Sequence, residues 1–239
     1  MRLISSEDRI AIHGRTGTGK TTGAVWILSL ADYLTRPWII LNQKRTKLID
    51  AIPGAKKVQN SFRPDPNKPG IFIYHHVPVH DDDELEDLLH YVWSVGGIGV
   101  YIDEAYNIDP RSPGLIALYT QGREKQIPMI TVSQRPSGIC RFAISESEFF
   151  MLFHLSDKDD RKRIQSYVPL DLEEFMGSKI GDKHLLPKRH SIYYDVGDNS
   201  AEILTPVPPP AQILAIFESR MNPPRPDSEN LSKFKIILI

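Results

Sequence analysis

Ile10-Ala11-Ile12-His13-Gly14-Arg15-Thr16-Gly17-Thr18-Gly19-Lys20-Thr21-Thr22 decides how the rest of the chain is read. A short apolar run enters a turn rich in glycine and leaves it through Lys20 and two threonines. From Lys20 a helical pattern follows, with Ala24, Ile27, Leu28, Ala31 and Leu34 at spacings of three and four. A strand, a glycine loop and a helix N-terminus in that order turn backbone N–H groups onto an anion. The helix adds its own partial positive charge. Residues 14–21 fit G-x-x-x-x-G-K-[ST] in full. Gly14, Arg15, Thr16, Gly17, Thr18, Gly19, Lys20, Thr21 and Thr22 are therefore expected to cradle the phosphates of ATP. Lys20 would reach the β- and γ-phosphates, and the Thr21 hydroxyl would ligate Mg²⁺.

Outward from this loop the same texture repeats. Pro37 stops the helix, and Trp38-Ile39-Ile40-Leu41 reads as a buried strand. Ile71-Phe72-Ile73-Tyr74, Ile98-Gly99-Val100-Tyr101-Ile102, Met129-Ile130-Thr131-Val132 and Phe149-Phe150-Met151-Leu152-Phe153 read likewise. Helical patterns over 82–95 and 115–123 separate them. Strands apolar throughout and spaced by helices predict an α/β fold, a mainly parallel sheet covered on both faces. Ser191-Ile192-Tyr193-Tyr194 and Ala201-Glu202-Ile203-Leu204 flank Gly197-Asp198-Asn199, the pattern of a C-terminal β-hairpin.

The strand over 98–102 delivers Asp103 and Glu104 at its C-terminal end, the edge where ligands of open α/β sheets gather. Asp103 is expected to hold Mg²⁺ with Thr21, and Glu104 to orient and deprotonate an attacking water. A base beside the metal carboxylate favours hydrolysis over transfer to an acceptor. No Asn-Lys-x-Asp segment is present to read guanine.

Lys and Arg number 29 against 30 Asp and Glu, a net charge of −1, which excludes a polybasic DNA coat and an acidic solvating chain. Cys140 is the only cysteine, so neither an internal disulfide nor a cysteine zinc cage can form. The apolar start of the chain ends at Ile4, and no run approaches the roughly 20 apolar residues of a membrane span. The expectation is one ATPase domain over 1–205 and a proline-rich arm over 206–239. Seven of the 19 prolines fall between Pro206 and Pro226, read as polyproline and not packed core. Phe234-Lys235-Ile236-Ile237-Leu238-Ile239 reads either as a strand added to the sheet or as a docking peptide.

Two further segments follow the acids. Gln121-Gly122-Arg123 ends the helix before the next strand, and Ser133-Gln134-Arg135-Pro136 ends that strand. With the phosphate loop and Asp103-Glu104, this order resembles the FtsK–HerA superfamily of DNA-translocating ATPases. It is most similar to the viral branch, the genome-packaging ATPases of icosahedral viruses with internal membranes. The resemblance covers roughly residues 8–155. It implies the ASCE, RecA-like form of the P-loop NTPase fold and ATP hydrolysis that drives double-stranded DNA. It also implies a hexameric or pentameric homo-oligomeric ring and a setting in the host cytoplasm or at the virion packaging vertex. By that resemblance Gln134 senses the γ-phosphate, and Arg123 is an arginine finger inserted into the next subunit's site, with Arg135 the alternative. The arm would then dock on capsid or vertex proteins.

Family members often carry an acid at the tip of the second strand, where this chain has Asn42-Gln43-Lys44-Arg45. Lys44, Arg45 and Lys47 suit contact with a DNA phosphate backbone, or equally a solvated loop. Three rivals share the phosphate loop: a cellular or conjugative DNA pump, a Zot-type phage assembly ATPase, and a nucleotide or small-molecule kinase.

Overall fold

The computed structural model describes residues 8–177 and 186–222. Strand β1 (Arg9–His13) is buried at every residue and runs into helix α1 (Lys20–Leu30). Then come β2 (Pro37–Asn42), the single turn α2 (Lys47–Asp50), β3 (Lys56–Val58) and β4 (Gly70–Tyr74). Helix α3 (Asp82–Val95) buries Leu85, Leu88, Leu89 and Val92, one face at helical spacing, and starts on Asp82, Asp83 and Glu84. Acids in a first turn are favoured by the helix dipole. β5 (Gly99–Asp103) and α4 (Pro113–Gln121) follow. In α4 the Ser112 hydroxyl accepts the Leu115 N–H at 3.0 Å and Pro113 sets the first turn. Beyond them lie β6 (Met129–Ser133), α5 (Phe142–Ser145), β7 (Phe149–Leu152), α6 (Lys158–Gln165), α7 (Leu172–Met176), β8 (Ser191–Asp195), β9 (Ser200–Leu204) and α8 (Pro210–Met221).

The strands form one sheet in the order β3-β4-β2-β5-β6-β1-β7-β8-β9. Pairings from β3 to β7 are parallel, and β8 and β9 close that side as an antiparallel hairpin. Alternation along each strand separates two cores. Ile10 and Ile12 pack with α1 and α8, whereas Ala11, Val100 and Ile102 pack with α3 and α4. The expected α/β P-loop architecture with helices on both faces, and the hairpin after it, are both present.

Three expectations change. The first helix ends at Leu30, short of Leu34. Asp32 folds the chain back there, its carbonyl accepting from Thr35 N at 2.9 Å and its carboxylate from the Trp38 indole at 2.9 Å. β3 lies within the stretch read as loop. The reading of 206–222 as polyproline outside the core is also corrected. Pro209 and Pro210 instead start α8, because proline's fixed φ suits a first helical turn. Ile213 and Phe217, four residues apart, are fully buried against α1 and its neighbours, Phe217 lying 5.3 Å from the Tyr33 ring. The reading of Phe234–Ile239 lies outside the described residues. No helix among the described residues is long and apolar enough to cross a membrane.

Candidate active site

Parallel strands end on one edge, so sheet order decides which loops meet. The neighbours β2, β5, β6 and β1 bring together, in turn, the loop after Asn42, the acids after Ile102, Gln134 and the phosphate loop. β6 intervenes between the phosphate-loop strand and the acidic strand. Residues 133–134 therefore leave the sheet between them.

The loop wraps closely at its base. A Cβ on Gly14 would lie 2.6 Å from Phe153 Cβ and 2.8 Å from Thr18 Oγ1, so only glycine fits. Gly19 precedes the helix at φ +107°, a conformation glycine adopts without penalty. Arg15 N donates to His154 O at 3.0 Å, and Thr18 Oγ1 to Arg15 O at 2.8 Å, which fixes the curve. The N–H groups of Lys20, Thr21 and Thr22 open α1 and have no intrahelical acceptor, so they are available to an anion. Thr21 and Thr22 are half-buried in that turn.

Lys20 is buried, and its Nζ lies 3.5 Å from Glu104 Oε1. Desolvation lowers its pKa, against the opposing pull of Glu104. Asp103 is 1% exposed. Burial first, and the charge of Glu104 second, raise it to about 6. Thr46 Oγ1 donates to Asp103 Oδ2 at 3.1 Å, while Oδ1 is buried with no hydrogen-bond partner among the described residues. Glu104 sits at φ +58°, a left-handed conformation that turns its side chain back into the site, where it is 2% exposed. Its Oε1 receives Gln134 Nε2 at 2.6 Å and the Lys44 ammonium; its Oε2 is buried and unpartnered among the described residues. Gln134 Oε1 in turn accepts from the Thr16 hydroxyl.

The expected residues thus divide. The phosphate loop, Lys20, Thr21, Asp103, Glu104 and Gln134 share one edge. Arg123 does not join them. It lies exposed on the turn after α4, whose carbonyls accept from Gly97 N at 2.9 Å and Arg36 Nη1 at 2.6 Å, at the opposite edge where strands begin. Arg135 stays on the site's edge, its Nε 3.0 Å from Asp160 and its Nη2 3.3 Å from Asp157. The basic trio also separates. Arg45 and Lys47 are exposed, whereas the Lys44 head group pairs with Glu104. Thr46, and the contact of Lys44 with Glu104, are features of the site that sequence reasoning missed. The signal needed was that β2 and β5 are neighbours, with Asn42 opposite Asp103.

No family model matches the chain. It is 50% identical over 218 residues to the DNA packaging ATPase P9 of Enterobacteria phage PRD1, covering 91% of this chain and 95% of that protein. Among solved structures, the genome packaging NTPase B204 of Sulfolobus turreted icosahedral virus 2, in complex with ATP-gammaS, matches with a TM-score of 0.59. That match has 17% identity and covers 86% of this chain and 100% of B204. ATPases 2 and 3 of EssC from Geobacillus thermodenitrificans match with a TM-score of 0.53 at 14% identity, covering 90% of this chain and 44% of that one. Both likenesses are of fold.

Proposed function

The chain belongs to the family of DNA packaging ATPases that includes P9 of phage PRD1, and from that premise we propose how its site couples ATP hydrolysis to the movement of double-stranded DNA. Membership makes it an ATPase that acts in packaging viral DNA, during virion assembly in the host cell. The observation that carries the mechanism is Gln134, which joins Thr16 of the phosphate loop to Glu104.

In the proposed cycle, Lys20 and the N–H groups opening α1 hold the β- and γ-phosphates of ATP. Thr21 and Asp103 would hold Mg²⁺, and the buried, unpartnered Asp103 Oδ1 suits such a cation. When bound, that ion offsets charge on the phosphates. A water attacks the γ-phosphorus, the bond to the ADP oxygen breaks, and the water's proton passes to Glu104. Oε2 is the carboxylate atom left open for it. Gln134 then carries the loss of the γ-phosphate from the loop to the base and to β6.

Arg123 is exposed on a turn away from its own site and suits insertion into a neighbour's, where a guanidinium on developing phosphoryl charge is worth on the order of 10³–10⁵ in rate. A hexameric or pentameric ring at the packaging vertex meets that need and supplies a pore. The ATPase unit would then include α8, which leaves capsid attachment to the chain beyond Asn222.

The test is ATPase rate against protein concentration, with and without duplex DNA. A steep concentration dependence with DNA stimulation supports the ring motor. A rate linear in protein and indifferent to DNA would instead favour a phosphotransferase acting on a small acceptor.

A further inference from the structure

The loop over 43–46 touches both acids: Thr46 holds Asp103, and the Lys44 ammonium pairs with Glu104. Its base is fixed. Asn42 accepts from Thr46 N at 2.8 Å and donates to Asp50 Oδ1 at 2.9 Å, and His75 Nε2 meets the same Asp50 oxygen at 2.8 Å. Its crest is not. Arg45 stands exposed at φ +51°, and neither it nor the exposed Lys47 makes an ion pair among the described residues. Lys44 joins crest to site. Its side chain is 41% exposed, yet its head group meets a carboxylate that is 2% exposed.

We propose that Lys44 is a latch on the hydrolytic base, opened when the phosphate backbone of duplex DNA engages Arg45 and Lys47. In the closed state three groups crowd Glu104 Oε1: Lys44, Gln134 and Lys20. A carboxylate held on one oxygen by two ammonium groups and an amide is not free to turn toward a water. DNA phosphates at the loop crest offer Lys44 an alternative anion, so neither charge of the broken pair is left without a partner. Glu104 then keeps Gln134 and Lys20 and gains freedom to act as base. Lys44 is a positioning residue in this scheme, and hydrolysis runs fastest when DNA is in place. The latch rests on the reading of Glu104 as base and of DNA as effector.

The test compares steady-state ATPase of the wild-type chain, Lys44→Gln and Lys44→Arg across a titration of duplex DNA. Lys44→Gln is expected to raise the DNA-free rate about fivefold and to shrink the stimulation by the same factor. Lys44→Arg, which keeps the cation, is expected to restore both. The double variant Lys44→Gln/Glu104→Gln should be inactive, because the raised rate must run through the base. Arg45→Ala with Lys47→Ala should reduce the salt dependence of half-maximal stimulation by a slope of about two. Equal loss of the DNA-free and DNA-stimulated rates in Lys44→Gln would overturn the latch and make Lys44 part of the phosphate site. So would a stimulation left intact. If the wild-type chain itself ignores DNA, the underlying reading fails and not the latch alone.

Discussion

Gln134 Nε2 donates to Glu104 Oε1 at 2.6 Å while its own carbonyl oxygen accepts from Thr16. One planar amide therefore spans from the phosphate loop to Glu104. β6 makes this possible by lying between β1 and β5. Removing the amide with Gln134→Ala should cut kcat on the order of 10², the usual cost of losing a donor at a charged reaction centre. Nucleotide affinity should hold within a few-fold, measured by equilibrium binding of a non-hydrolysable analogue. Equal losses in both would mean that Gln134 only builds the pocket.

Asp103 gives the metal-free chain a pH dependence with a defined sign. An acid raised from 3.8 to about 6 binds its proton more tightly in the folded state. Its stabilisation is full below pH 3.8 and is lost as pH rises through about 6, roughly 3 kcal/mol in all. His13 works the other way. Burial lowers it to about 3, so its contribution is lost as pH falls below 6.5. Asp103→Asn isolates the first effect: the variant should gain on the wild type in denaturant melts between pH 4 and 7. A stability difference that stays flat over that range would contradict it.

α8 belongs to the packed domain. Phe217 is fully buried and faces Tyr33, and Arg220 lies 4.8 Å over the same Tyr33 ring. Phe217→Ala should cost about 3–5 kcal/mol, as large-to-small core changes do. Chemical unfolding measures this directly; a change under about 0.5 kcal/mol, typical of surface sites, would return α8 to a detached arm.

If Arg123 acts between subunits, as proposed, its loss is complementable. Arg123→Ala and Lys20→Ala chains should each be inactive, one lacking the finger and the other the phosphate site. Mixed together, Lys20→Ala chains would supply Arg123 to intact sites and recover a fraction of the activity. Full activity of Arg123→Ala alone would shift the finger to Arg135.

Much of this was legible in sequence, for physical reasons that differ by element. The phosphate loop and Asp103-Glu104 are contiguous, so spacing alone specifies them. The buried parallel strands showed because their residues are apolar on both faces. The contacts of Lys44 and Thr46 with the two acids were hidden because they depend on which strand lies beside β2. The end of α1 was hidden because a hydrogen bond from the Trp38 indole to the Asp32 carboxylate overrides the helical period. α8 was misread because proline density marks both a polyproline segment and a helix start. The apolar pair Ile213 and Phe217 distinguishes them only once a receiving surface is known. β3, three residues at the sheet's edge of which Lys56 and Lys57 are exposed, carries no periodic signal.

Hydrolysis by Glu104 is tested most directly by Glu104→Gln, assayed together for ATP binding and single-turnover cleavage. Glutamine keeps the shape and can still bond Gln134, so the fold and the nucleotide affinity should persist. Cleavage should fall by roughly 10²–10⁴, the range of general-base catalysis. A variant that binds ATP and cleaves it within tenfold of the wild-type rate would contradict the role assigned to Glu104.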